Sequence, residues 1–401
     1  TEIYTLSLHD ALPIYFGGGR IEHVAADGDH HQHEREKRQQ DVGGDGKGIN
    51  MGFGVDEKTA EGGQVGSEVG KRLADVIQHP ADERARGHGR GLHKGRSPPL
   101  SATVEHNRLM PFRSVLHSVS YAGVWPGQAA LGLDEFLVKA SGLGYSGVML
   151  MAKRPHLSVL DYSTDACRAL KDRLDELKLR CDVIAGYTNF SADAEHGEVP
   201  QREIQLQHVI ELSRMARDLG AGVVRIFTAY QHPQFAPHLL AGALREAAIR
   251  AADHGVVIGV QNHHDTAVDH LSLIDLLEAV DHPNCRACFD AWAPALHGTD
   301  LAEAARAMAP WTCHTTAADY QMRPRFKYNP ALVNYEPQTA ATQAVPMGEG
   351  FIDYRLFLGG LRAGGYEGTV AYEMCSPLKG GGSAENLDQY AKRFLEYMDG
   401  L

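Results

Sequence analysis

The stretch 261-QNHHD-265 sets five polar side chains, Gln261, Asn262, His263, His264 and Asp265, at the end of the apolar run 256-VVIGV-260. A parallel strand covered on both faces reads as nearly continuous Val and Ile, and its C-terminal end is where α/β folds place their ligands. The pattern recurs with Asp290 in 288-CFDAW-292, His314 in 313-CHTTAADY-320 and Glu373 in 371-AYEM-374. Burying a carboxylate is costly unless it is paired or bound to a cation, so two acids and a histidine at strand ends imply one divalent metal ion. Oxygen and nitrogen donors of this kind suit Mn2+, Mg2+, Co2+ or Zn2+.

The elements that must position these residues follow from periodicity. Apolar runs at 115–121, 147–152, 181–187, 222–230, 256–264, 286–292, 312–320 and 369–375 alternate with amphipathic helical segments, many ending in Gly. Eight such strands in about 290 residues is the arithmetic of an α/β (β/α)8 TIM barrel. A doubly wound open sheet would carry a glycine-rich first turn, and no G-x-G-x-x-G follows the first run. In a TIM barrel the active site lies at the C-terminal face, which gathers His117, Lys153, His156, Tyr187 and His264 beside the acids as candidate substrate contacts. Arg325, in the basic stretch 321-QMRPRFKY-328, is read as a loop residue able to contact an anionic group. The loop 379-KGGGS-383 is either a backbone phosphate cradle or a plain connection capped by Ser383.

Composition narrows the function classes. A formal net charge of −12 argues against nucleic acid as the main partner. No 18-residue apolar run is present, so no membrane helix is expected. The six cysteines form no dense framework and read as reduced thiols of a cytoplasmic protein, Cys285 and Cys288 being two small residues of a buried strand. Residues 1–109 are rich in Gly, His, Arg, Asp and Gln and show no sustained period, so they are expected to be disordered or artefactual, with the barrel spanning 110–401. Their opening, TEIYTLSLHDALPI, resembles translated sequencing-adapter sequence.

Over residues 112–400 the chain resembles the xylose-isomerase-like TIM barrels, the sugar phosphate isomerase/epimerase superfamily. The resemblance implies four metal ligands from four strand ends, at positions matching Gln261, Asp290, His314 and Glu373. The first family ligand is a glutamate, and here it is Gln261. A glutamine still offers a carbonyl oxygen to a metal but accepts no substrate proton, so the paired-carboxylate epimerisation of the family loses one partner. His263 is expected to serve as the base, since Gln261 two residues earlier shares its face in a regular strand; Glu373 is the remaining acid/base carboxylate.

Segments 124-VWPGQ-128, 151-MAKRPH-156, 185-AGY-187, 261-QNHHD-265 and 372-YEMCSPLKGGGSAENLD-388 are similar to the large subunits of bacterial C-glycoside deglycosidases. That similarity implies manganese, a 3-oxo-glycoside cleaved by elimination, and a small partner subunit or homo-oligomer. Ketose isomerisation or epimerisation is the alternative, and a non-enzymatic ligand-binding barrel is the reading from another class. A zinc-cluster DNA-repair nuclease on the same barrel would need more His and acidic ligands and a basic surface. Because residues 1–109 carry no core pattern, a chain starting at Met110 is expected to express in soluble form with an unchanged melting temperature; loss of soluble expression would refute this.

Overall fold

A computed structural model describes residues 112–191, 197–229, 237–263 and 267–401. The expectation for residues 1–109 and the placement of His264 lie outside the described residues. Eight parallel strands close a barrel: β1 (Arg113–His117), β2 (Gly147–Met151), β3 (Arg180–Ala185), β4 (Val223–Ile226), β5 (Val257–Gln261), β6 (Cys285–Cys288), β7 (Thr312–Ala317) and β10 (Thr369–Tyr372). Each pairs with its sequence neighbours, and β10 closes the ring between β7 and β1. The TIM barrel expected from the alternating pattern is the observed fold.

Between the strands run α1 (Leu133–Leu143), α2 (Thr164–Glu176), α3 (Gln201–Leu219), α4 (Pro237–Ala252), α5 (His270–Val280), α6 (Trp292–Leu296), α7 (Leu301–Met308), α8 (Tyr354–Ala363) and α9 (Ala384–Asp399). Their starts are set by side chains that satisfy the free N–H groups of a first turn: Asp269 accepts from Leu271 and Ser272 N, Asp300 from Ala302 and Glu303 N, and Asp353 from Leu356 N. Ser383 caps α9 in the same way, and Asn386 Nδ2 bonds the carbonyls of Lys379 and Gly381, so the KGGGS loop is closed on itself. None of the described helices is long and apolar enough to cross a membrane.

Inside the barrel Val115, Met149, Val183, Ala185, Val223 and Ala371 form an apolar plug. The polar strand ends stand above it, as layered barrel packing requires. Cys285 and Cys288 are buried, free thiols on β6.

The first and seventh strands depart from the sequence reading. Strand β1 stops at His117, and 118–121 turn as a 3-10 helix that carries Tyr121 outward, where its hydroxyl donates to Asp388 Oδ1 at 2.9 Å. The run 312–320 divides at Ala318, and residues 321–328, read as a basic loop, belong to an antiparallel ribbon of β8 (Asp319–Asn329) and β9 (Asn334–Val345).

The turn after β1 is knotted by Gln128, which donates to the carbonyls of Val119 (3.1 Å) and Ser120 (2.9 Å) and accepts from Val124 N (2.7 Å). From within that turn, Ser118 and Ser120 hydroxyls accept from Met151 N and Met374 N, tying β1 to the ends of its two neighbours. Gln128→Ala removes one hydrogen bond from each of three backbone groups, of which Val119 O keeps Ala122 N, and is expected to cost about 2–4 kcal/mol in urea unfolding. A loss below about 0.5 kcal/mol would show that water replaces the amide, since surface changes fall in that range.

Candidate active site at the barrel mouth

Gln261 ends β5 and is 3% exposed. Its Nε2 donates to Asp290 Oδ2 at 2.7 Å, while Trp292 N donates to Oδ1 at 3.1 Å. Asn262 locks the two strand ends together, accepting from Asp290 N (2.8 Å) and donating to Asp290 O (3.0 Å). Burial pushes the Asp290 carboxyl up to about 7, against the Gln261 hydrogen bond, and repulsion from Glu373 adds to the rise.

His314 is fully buried on β7, with Nδ1 2.7 Å from Thr369 Oγ1. Burial, and then the nearby Arg225, hold it down at about 3, so the ring is neutral. When Nδ1 donates to Thr369, Nε2 is left as a bare lone pair. Glu373, just beyond β10, is partly open to solvent, with Oε1 3.6 Å from His117 Nε2 and 3.8 Å from an Arg225 nitrogen. His117 accepts from Val119 N through Nδ1, which places its proton on Nε2, facing Glu373. Burial, followed by Arg225, keeps His117 well below the ordinary histidine range. The neutral ring thus presents an N–H donor toward Glu373.

Arg225 was not singled out from the sequence. It projects from β4 into the barrel, fully buried, donates to Gly186 O at 2.9 Å, and lies 4.2 Å from the Phe227 ring centre and 5.1 Å from that of Tyr187. The available signal was a lone charge inside the apolar run 222-GVVRIF-227, where only an inward, paired position tolerates it. Lys153 Nζ covers the other side of this wall, 4.0 Å from the Tyr187 ring centre. Burial, then Arg225, lowers its pKa, while burial raises that of Tyr187.

Two candidates from the sequence, His156 and Arg325, stand apart from the cluster of Gln261, Asp290, His117 and Glu373, and a third, His263, follows a turn that the sequence did not show. His156 donates through Nε2 to Leu131 O at 3.1 Å and stacks on Phe136 of α1, between barrel and helix. Arg325 lies on the exposed ribbon. His263 follows a tight turn in which its N–H bonds Gln261 O at 2.8 Å, and its ring packs 4.8 Å from Phe227. The regular alternation assumed for it ends at Gln261.

Among the described residues no three His, Cys, Asp or Glu side chains gather into a group able to hold an ion. The donor chemistry fits a cation all the same: Gln261 Oε1, beside the Asp290 carboxylate, and His314 Nε2 are both buried without a hydrogen-bond partner. Two orphaned acceptors of this kind are what a divalent ion satisfies.

The model of the xylose isomerase-like TIM barrel family matches residues 137–398, and the chain belongs to that family. No curated protein matches it. Among solved structures it is similar to a probable 3-DHS dehydratase of petrobactin synthesis from Bacillus anthracis (17% identity, 72% of this chain, 99% of that one, TM-score 0.55). It is also similar to 3-keto-D-glucoside 4-epimerase from E. coli (14%, 72% and 100%, 0.53) and to the IOLI protein with a zinc atom bound (15%, 71% and 97%, 0.55). At these identities the likeness establishes the fold.

If Thr369 orients His314 as a ligand, Thr369→Val should weaken divalent-metal affinity about 10- to 100-fold, the usual effect of removing such a support. Competition with a chelator measures this, and unchanged affinity would remove His314 from the ligand set.

Proposed function

We propose that this chain is a divalent-metal-dependent enzyme that moves a proton on the carbon beside the carbonyl of a keto-sugar, as an isomerase or epimerase. Family membership supports the carbohydrate class, and the likeness to a 3-keto-glucoside epimerase supports a ketose or keto-glycoside as substrate. The observation that carries the reading is the asymmetry of the mouth: Glu373 is a carboxylate open to the solvent side, and the facing Gln261 is a neutral amide tied to Asp290.

Glu373 is the proton carrier in this reading. The Arg225 guanidinium lies beside it at 3.8 Å, and His117 Nε2–H points at the same oxygen, ready to donate to a substrate oxygen that displaces it. Gln261, Asp290, His314 and Glu373 would hold the ion, Mn2+ first among Mn2+, Mg2+, Co2+ and Zn2+, and its charge would polarise the sugar carbonyl. One carboxylate suffices to carry a proton between neighbouring carbons on one face, whereas inversion needs a second group, for which His263 is the candidate. Elimination from a 3-oxo-glycoside is the second reading, favoured by the same neutral Gln261, because it too needs a single base.

The test is solvent deuterium exchange into ketoses and 3-keto-glucosides, with products and metal content determined for each protein. Exchange with isomer or epimer formation is expected, falling by at least about 100-fold in Glu373→Gln. Release of the aglycone without isomer selects the second reading, and exchange undiminished in Glu373→Gln would refute the assignment of the base.

A further inference from the structure

The C-x-x-C spacing of Cys285 and Cys288 does not bring those two sulfurs together. Residues three apart on a strand point to opposite sides, and Cys285 packs with Ala287 in the core between barrel and helices while Cys288 points into the barrel. The neighbour of Cys288 is Cys313 on β7. Ala287 pairs with Thr312 and Cys288 with His314, so Cys313 is an extra residue in β7, a bulge of the kind that re-aims a side chain. In a regular strand Cys313 would face the side opposite His314. Here its sulfur turns inward: a Cβ added at Gly259 would stand 2.4 Å from Cys288 Sγ, 3.1 Å from Cys313 Sγ and 3.2 Å from Val223 Cγ1 of the barrel plug. Both sulfurs crowd the space that the missing side chain of Gly259 leaves on β5.

Access to the two thiols differs. Cys313 is partly exposed and lines a cavity of about 480 Å3 among the strand starts, with Arg113, Arg180, Asp182 and Thr369 in the same wall. Its Sγ lies 3.3 Å from Ala287 O, which holds it on the β6 side. Cys288 is 1% exposed and does not line the cavity. Neighbouring strands lie about 4.8 Å apart, inside the window of roughly 4.4–6.8 Å between Cα atoms that a disulfide spans.

We infer that Cys313 and Cys288 are a modification site, a dithiol that small disulfides convert to a cross-link between β7 and β6. Cys313, open to the cavity, attacks one sulfur of the reagent. The reagent's S–S bond breaks, the departing sulfur takes the Cys313 proton, and a mixed disulfide remains on Cys313. Cys288 then attacks the Cys313 sulfur, and its proton leaves with the second reagent thiol. The two cysteines lose two electrons and two protons, and the reagent disulfide is reduced to two thiols. The bond fastens β6 to β7 just before Asp290 and His314 in the chain, so it ties together the strands that carry those two residues.

The test is incubation of the full folded chain with 2-hydroxyethyl disulfide, followed by thiol counting in denaturant and mass mapping of the digested protein without reductant. Loss of two of the six free thiols is expected, with one cross-link joining the peptides of Cys288 and Cys313, reversed by dithiothreitol. Cys288→Ala should stop at a single reagent group on Cys313, and Cys313→Ser should leave Cys288 unmodified. A wild-type chain that keeps all six thiols, links another pair or stops at the mixed disulfide overturns the inference. So does modification of Cys288 at an undiminished rate in Cys313→Ser. These readouts are independent of any reaction at the barrel mouth.

Discussion

A guanidinium with no exposure to water sits at the centre of this barrel, and the polar layer around it is arranged to make that tolerable. Arg225 reaches the end of β3 through Gly186 O and the end of β10 through Glu373, while the Phe227 and Tyr187 rings flank its charge. The backbone must come close for this to work. Gly186 N donates to Arg225 O at 2.7 Å, and a Cβ at Gly186 would stand 3.0 Å from that oxygen and 2.8 Å from Leu212 Cδ1, so glycine fits where a side chain would push β3 and β4 apart. One fixed cation then biases its neighbours together: it helps keep His117 and His314 neutral and lowers Lys153.

The same cation changes what Gln261 means. With a glutamate at that position the mouth would hold three carboxylates. With glutamine it holds Asp290 and Glu373 against Arg225 and Lys153, a balanced inventory before any ion arrives. Under the proposed function, a divalent ion would meet weaker attraction here than in a three-carboxylate set, and would gain correspondingly more from negative charge developing beside a carbonyl. Glutamine at this position would then shift electrostatic work from holding the ion toward stabilising what reacts near it.

The strands were legible because buried parallel strands are written in Val, Ile and Gly, and the residues following them fall at one face whatever their identity. Gln261, Asp290, His314 and Glu373 were placed by that logic alone. Orientation past a strand end was not legible. His263 was expected to share the face of Gln261, but a backbone turn between them removes the period on which the expectation rested. Arg225 was passed over because a single charge does not alter the hydrophobic character of GVVRIF. The ribbon was hidden differently: QMRPRFKY alternates polar and apolar residues with a period of two, yet three charges and Pro324 make it look like a loop, and its apolar half faces solvent where a core would ordinarily reveal it.

The ribbon is nonetheless firmly rooted. Asp319 accepts from the N–H groups of Tyr320, Gly348 and Gly350, with Ile352 N at 3.4 Å, so the chain entering β8 and the chain leaving β9 hang from one carboxylate. Tyr320 stacks on Trp292 at 4.4 Å and 9°, and Trp292 N holds Asp290. A ribbon free to swing would drag that stack, and with it a wall of the candidate site. Four bonds to one buried group resist the swing, and Asp290 is held independently by β6 and Asn262.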